Sequence, residues 1–414
     1  MYASNWNTFG ALGAQALKQM DRSRQERGRM LERAGYGPQQ TPSTAILEQP
    51  GLRLLRYQGA PAAGPAVLLV PAPIKRAYIW DLAPEISVVR RWRERGYRVY
   101  LAEWLPMPDG DGDVGLADYG ERLLSACHAA IAQDGARLGE TTNSQANGQS
   151  NDQSGGQGGA QAGVQEPLTV VGHSLGGILA AIYSGMHPER VAATVLLESP
   201  LHFEPATCCF SPLVKATAHA RGIAETFRHV PGVYLNMMSA LAEPQAFQWE
   251  RIADRWLSLL DPPALTTHMR VERWTHDEFP LPGKLFIDIV ESLYRNDEFM
   301  QGRLAIGART IGPRDLRAPL LCVIDPRSKV IPPQSVLPFH EAASSERKRV
   351  LEYQGDIGVN LQHVGVLVGR SAHATIWPAI FAWLGAMAPA AALLTPADGL
   401  DDSPADGIAN AGTA

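Results

Sequence analysis

The sequence predicts an α/β fold, with a mostly parallel central sheet, helices on both faces and an inserted helical cap. Three observations carry this expectation. Short apolar runs alternate with helical patterns from about residue 53 to residue 199, the order that builds a parallel sheet covered on both sides. The stretch "TVVGHSLGGILAA" (169–181) passes from a buried strand into a helix through a glycine-flanked turn. A helical pattern over 200–303, too long for a connector, then separates these strands from two more.

Taken in order, residues 1–45 read as a polar helical arm. Its segment "KQMDRSRQERGRMLER" mixes bases with acids as a solvated helix does, and the arm ends at "GYGPQQTPS". "RLLRYQ" (53–58) is expected as the first strand. "AVLLVPAP" (66–73) is an apolar strand running into a proline loop. A helix around "PEISVVRRWRERG" precedes the strand "YRVYLAEW", and another helix follows over about 117–135. The composition then changes. "GETTNSQANGQSNDQSGGQGGAQAGVQEP" (139–167) has too little apolar surface to order itself and is expected to be a disordered insertion. Strand "PLTVVG", helix 175–187 and strand "RVAATVLLES" complete the first part of the core, 46–199. The cap, 200–303, carries Trp249, Trp256 and Trp274. The second part, 304–386, holds strands "APLLCVID" (318–325) and "KRVLEYQ" (348–354) and a last helix over about 374–386. The tail, 387–414, repeats the low-complexity character.

Composition narrows the function. The chain has 414 residues, 45% hydrophobic and 19% charged, with a net charge of −5. That is ordinary for a globular protein and speaks against nucleic acid as a partner. Cys127, Cys208, Cys209 and Cys322 show neither metal-ligand spacing nor a disulfide framework, which suits a reducing cytoplasm and implies no metal or cofactor. The start, "MYASNWNTFGALGAQALKQM", lacks the pattern of a signal peptide, and no apolar run is long enough to span a bilayer.

Gly172-His173-Ser174-Leu175-Gly176 fits G-x-S-x-G, the nucleophile elbow of the α/β-hydrolase fold. The turn is so tight that side chains two before and two after the serine would collide, and glycine avoids this. The strained turn exposes Oγ above the sheet's carboxyl edge, and the helix start beneath it favours developing negative charge. The Leu175 N–H is one expected oxyanion donor. The second should come from the loop after "AVLLV". Pro71 and Pro73 have no N–H, which leaves Ala72, Ile74 or Lys75, and Ile74 is favoured. Serine needs a base. His363, in "NLQHVGVLVG" after the last strand, is the candidate, while His340 and His373 read as surface residues and His173 as structural. The acid should follow the strand ending near 324. Asp325 is the carboxylate there, although Asp-Pro is also a common turn start. Glu198 is the alternative acid and Asp356 a third candidate.

With these motifs in order, the chain resembles the polyhydroxyalkanoate synthase family and its α/β-hydrolase relatives. The resemblance lies in "PAPIKRAYIWDLAPEISVVRRWRERGYRVYLAEW", "LADYGERL", "VVGHSLGG", "HPERVAATVLLESPLHF", the cap exit "ERWTHDEFPLPGKLF…LLCVID" and "QHVGVLVGRSAHATIWPAIFAWL". It covers about residues 45–385 without the insertion. It implies Ser174 at the nucleophile position, His363 as base and 200–303 as a cap over the site. Two departures stand out. The synthases use cysteine where this chain has Ser174. The family's D-H-x-V-P-P run reads "SKVIPP" here, so Ser328 and Lys329 occupy the Asp and His positions.

The expected function is therefore a serine acyl-ester or thioester hydrolase or acyltransferase related to polyhydroxyalkanoate metabolism. Its substrate would be a hydroxyacyl ester or acyl-CoA, in an apolar site lined by the cap. One alternative is a genuine synthase polymerising 3-hydroxyacyl-CoA. Another is a non-catalytic scaffold or granule-associated relative. The resemblance leaves open a homodimer, a partner subunit or a polyester granule as partner.

Overall fold

Eight strands form one sheet in the computed structural model, which describes residues 3–59, 64–108, 113–147, 166–204, 207–216 and 220–387. They are β1 (Ser43–Gln49), β2 (Leu52–Tyr57), β3 (Ala66–Val70), β4 (Arg98–Trp104), β5 (Leu168–His173), β6 (Val191–Leu197), β7 (Leu320–Ile324) and β8 (Lys348–Glu352). The spatial order is β1-β2-β4-β3-β5-β6-β7-β8. β1 pairs antiparallel with β2, and β2 with β4; every other pairing is parallel.

Burial explains the parallel part. "AVLLV", "LTVVGH" and "LLCVI" are buried along their whole length, as strands covered on both faces must be. One face packs on helices Leu123–Asn147 and Leu175–Met186 and on the cap. The other packs on helices Val88–Glu94 and Trp377–Gly385, where Trp92 and Phe381 meet edge to face at 4.9 Å. The outermost strand β8, "KRVLE", is charged and only partly buried, which suits a sheet edge.

The arm departs from expectation. Helix Ala3–Leu31 is followed by β1, so "RLLRYQ" belongs to the second strand, not the first. The strand "STAILEQ" was hidden because its solvent-facing edge position leaves little apolar patterning. The arm is also not simply solvated. Arg24 donates to both oxygens of Glu278 and to the Thr275 carbonyl, and the Asp21 carboxylate accepts the Val233 N–H at 3.0 Å. Gly28 sits against the Cβ of His276. The expected insertion 139–167 is likewise shorter: the preceding helix continues to Asn147, and Glu166 pairs with Arg98 at 2.7 Å. Residues 148–165 and the tail from 388 lie outside the described residues.

The cap leaves the sheet after β6. Its longer helices are Gly232–Ala242, Glu250–Ser258 and Pro262–Thr275. Trp274 is buried within it, whereas Trp249 and Trp256 face outward. Register places the ends of the central strands side by side. Val70 faces Gly172, His173 faces Leu197, and Leu197 faces Val323. The loops that carry Ile74, Ser174, Glu198, Asp325 and His363 therefore leave from one carboxyl edge, where open α/β sheets bind ligands.

Leu321 is fully buried in β7. Leu321→Ala is expected to cost about 2–5 kcal/mol, read as a lower denaturation midpoint with an unchanged m-value.

Candidate active site

The site is built around a turn that only small residues allow. Ser174 follows β5 with φ 56° and ψ −128°, a backbone conformation that side-chain-bearing residues avoid. Its N–H is tied to the Leu197 carbonyl at 3.0 Å. A Cβ on Gly172 would lie 2.5 Å from the Gly176 carbonyl oxygen, and one on Gly176 would lie 2.1 Å from the Val70 carbonyl oxygen. Neither contact can relax, because both partners are backbone. The helix Leu175–Met186 thus starts against the loop after β3. That loop is anchored from the other side by the Trp104 indole, which donates to the Pro71 carbonyl at 2.7 Å.

His363 comes from the loop after β8 and is held on several sides. Its Nδ1 lies 3.2 Å from Glu198 Oε2. Its carbonyl accepts a hydrogen bond from His173 Nε2 at 2.8 Å, and the two rings sit 4.6 Å apart. A carbonyl only accepts, so His173 carries its proton on Nε2. Burial and the neighbouring His363 keep His173 neutral, with its pKa well below the ordinary range. His173, legible in sequence only as a structural residue, therefore fixes the backbone of the candidate base.

The carboxyl group hydrogen-bonded to His363 is Glu198, not the favoured Asp325. Glu198 sits just past β6 with φ 41°, and its side chain is almost fully buried. Asp325 lies nearby, just past β7, but its Oδ1 accepts the Arg327 N–H at 2.8 Å, closing the turn that Asp-Pro initiates. Asp356 is committed elsewhere: it accepts from Tyr353 Oη, from Ser371 Oγ and N–H, and from the Ala372 N–H. Ser328 accepts the Ile331 N–H and Lys329 reaches Gln245 in the cap. His340 and His373, expected at the surface, are both buried. His373 donates through Nε2 to the Leu367 carbonyl at 2.8 Å, and Arg91 Nε donates to its Nδ1.

Burial acts on His363 and Glu198 alike. Burial pushes His363 down to about 4. Burial first, and the charge of Asp325 second, push Glu198 well above the usual carboxylate range. Both shifts have the same cause, since a poorly hydrated site disfavours either charge. Glu198 Oε1 is buried with no hydrogen-bond partner.

Above this pair lies a cavity of about 250 Å³. Ser174, Leu175, Ala72, Ile74, Lys75 and His363 line its floor, so the expected nucleophile, base and oxyanion-loop residues meet in one place. Its walls come largely from the cap, including Phe210, Leu235, Phe247 and Phe286. Lys75 is engaged by the cap. Its Nζ donates to Glu278 at 2.5 Å and to the Thr275 carbonyl at 2.9 Å, pinning the loop after β3 to the cap.

Residues 161–215, which hold the elbow, match the profile of the family described as alpha/beta hydrolase fold. The chain has the α/β-hydrolase fold. Over most of its length it is similar to proteins named "Poly(3-hydroxyalkanoate) polymerase subunit PhaC". It is 26% identical over 372 residues to the one from Haloarcula marismortui, covering 86% of this chain and 70% of that protein. It is 25% identical to the Haloferax mediterranei protein, with 83% and 63% covered. It is 23% identical to the Allochromatium vinosum protein, with 83% and 88% covered. Among solved structures, a monoacylglycerol lipase from Paleococcus ferrophilus aligns with TM-score 0.45 and 16% identity over 81% of this chain and 99% of its own. The carboxyl edge of that sheet is where the elbow, His363 and Glu198 converge. Among the described residues, no helix is long and apolar enough to cross a membrane.

The His363 ring is expected to stay neutral on acidification until about pH 4, read from histidine ¹⁵N chemical shifts. In the unfolded chain the same ring protonates near pH 6.5. The unfolded state thus binds the proton first, and this group's share of stability is lost as pH falls from about 6.5 to about 4.

Proposed function

We propose that this chain is a serine acyl hydrolase or acyltransferase acting on esters or thioesters related to poly(3-hydroxyalkanoate) metabolism. The observation that carries the reading is the meeting of three groups under an apolar cavity. Ser174 stands on a strained elbow, a neutral His363 shares its cavity, and a buried Glu198 carboxyl holds His363 Nδ1.

The reaction follows from that arrangement. With Glu198 ionised, His363 donates Nδ1–H to it and leaves Nε2 as the free base. Nε2 takes the Ser174 proton as Oγ attacks the acyl carbonyl. The oxyanion of the tetrahedral intermediate forms beside the Leu175 and Ile74 backbone, whose N–H groups we assign as its donors. The imidazolium then gives its proton to the leaving alkoxide or thiolate. Water or an acceptor hydroxyl attacks the acyl-serine and passes its proton to His363, which returns it to Ser174 Oγ as the acyl–Oγ bond breaks and the product leaves. The apolar walls suit an acyl chain.

The acid role goes to Glu198. Asp325 acts on it at a distance by raising its pKa. Glu198→Gln is expected to lower kcat roughly 10³–10⁴-fold by favouring the wrong imidazole tautomer. Activity should rise with pH as Glu198 ionises, at a pH above the usual carboxylate range. Asp325→Asn removes a like charge, so that acid limb moves to lower pH while the plateau rate stays within about tenfold. A pH profile of kcat/KM reads both effects. A plateau loss in Asp325→Asn as large as in Glu198→Gln would return the acid role to Asp325.

The similarity to polymerase subunits supports a second reading, polymerisation of 3-hydroxyacyl-CoA. The serine favours the first, because an oxoester intermediate is less activated than a thioester for repeated chain transfer. A fluorophosphonate probe should label Ser174 and fail on Ser174→Ala. With 3-hydroxybutyryl-CoA, free CoA and soluble acid identify a hydrolase, and free CoA with insoluble polymer a synthase. Absence of labelling, under conditions that label a control esterase, would leave the scaffold reading.

A further inference from the structure

The core reaches His363 through Glu198 and His173, but the loop that carries it is also gripped by the cap. Asp254, on helix Glu250–Ser258, is buried and turns its carboxylate inward. One oxygen accepts the Gly358 N–H at 2.7 Å, and the other accepts the Asn360 N–H at 2.8 Å and His268 Nδ1–H at 2.7 Å. The backbone so held is unusual. Gly358 has φ 86°, and Asn360, a residue with a side chain, has φ 62°. Such a conformation persists only where surrounding contacts over-determine it.

The Asn360 side chain completes the grip. Its Oδ1 accepts from Arg251 Nε at 2.8 Å, and its Nδ2 donates to Glu272 at 2.7 Å and to His268 Nε2 at 3.1 Å. Every donor thus meets an acceptor, and His268 bridges Asp254 to Asn360. Arg251, Asp254, His268 and Glu272 all belong to the cap. Asn360 stands three residues before His363, and two tight bonds cover the interval: Leu361 N–H to the Val359 carbonyl at 2.6 Å and Val364 N–H to the Leu361 carbonyl at 3.0 Å. Arg251 also lines the catalytic cavity.

We propose that Asp254, completed by Asn360, is a positioning residue through which the cap sets the placement of His363. The inference rests on the reading of His363 as the base. It makes turnover depend on how the cap is seated as well as on the sheet edge. It also gives Arg251 two tasks, facing the cavity and holding the latch.

The test compares Asp254→Asn and Asn360→Gly with Val271→Ala, a fully buried cap residue that makes no bond to the loop. Asn at 254 retains one acceptor and presents N–H groups to a donor. Gly at 360 keeps the left-handed backbone but loses the side-chain bridge. Asp254→Asn should lower kcat on a model ester roughly 10–100-fold, with KM nearly constant, since small misplacements of a catalytic group are that costly. Asn360→Gly should lower it in the same sense but less. Val271→Ala should lower the melting temperature and leave kcat unchanged. In histidine ¹⁵N spectra the His363 signals, assigned by their loss in His363→Gln, should move in the first two variants and not in the third. Losses of kcat that track melting temperature in all three variants, or His363 signals unmoved by Asp254→Asn and Asn360→Gly, would overturn the proposal. If Asp254→Asn fails to fold, Asn360→Gly decides alone. Should the wild-type protein neither label nor turn over, the reading of Ser174 fails, and the histidine spectra still judge the latch.

Discussion

The approach of helix Leu175–Met186 to the end of β3 governs the rest of the site. The absent Cβ at Gly176 would otherwise press on the Val70 carbonyl oxygen at 2.1 Å. With that contact open, the helix starts directly behind the serine and the loop after β3 comes alongside it. The strained backbone of Ser174 is then held by its bond to β6 and by the packed helix. Without the close approach, neither the exposed Oγ nor the neighbouring oxyanion loop would share a cavity with His363.

Burial sets the electrostatic character of what lies below. A well-hydrated His–Glu pair would ionise easily. Here low hydration presses His363 toward neutral and Glu198 toward protonated, and Asp325 presses Glu198 the same way. Such a pair becomes competent only on losing a proton: with Glu198 ionised and His363 neutral, the ring keeps its proton on Nδ1 and leaves Nε2 free. The chain uses a residue at the end of β6 for this contact, one strand earlier than the turn after β7 where the favoured candidate lay.

The arm and the cap contribute more than cover. Arg24 from the arm and Lys75 from the loop after β3 converge on Glu278 in the cap segment, a junction of three parts of the chain distant in sequence. Glu278 remains ionised there, its pKa depressed despite burial by Lys75 and Arg24. Removing one partner from such a cluster leaves a buried charge exposed to its full desolvation cost.

Periodicity, glycine spacing and turn residues were enough to place the central strands and the glycine-flanked turn at Ser174, because those signals are local: a strand buried on both faces must be apolar, and a tight turn must be glycine-flanked. Ser174, Leu175, Ile74 and His363 line one cavity. Three features were not legible. β1 lacks a strong pattern because it lies at the edge. The burial of His340 and His373 depends on packing from elsewhere in the chain. The partner of His363 was a choice among carboxylates of the same type, and only β6–β7 register, the Arg327 turn and the depth of Glu198 settle which one touches the ring. The sequence by itself determined the class of fold and the strand-turn-helix setting of Ser174. Tertiary structure decided which carboxyl meets His363 and how the cap holds the loop, since both rest on hydrogen bonds between residues roughly a hundred or more positions apart, whose geometry no local pattern encodes.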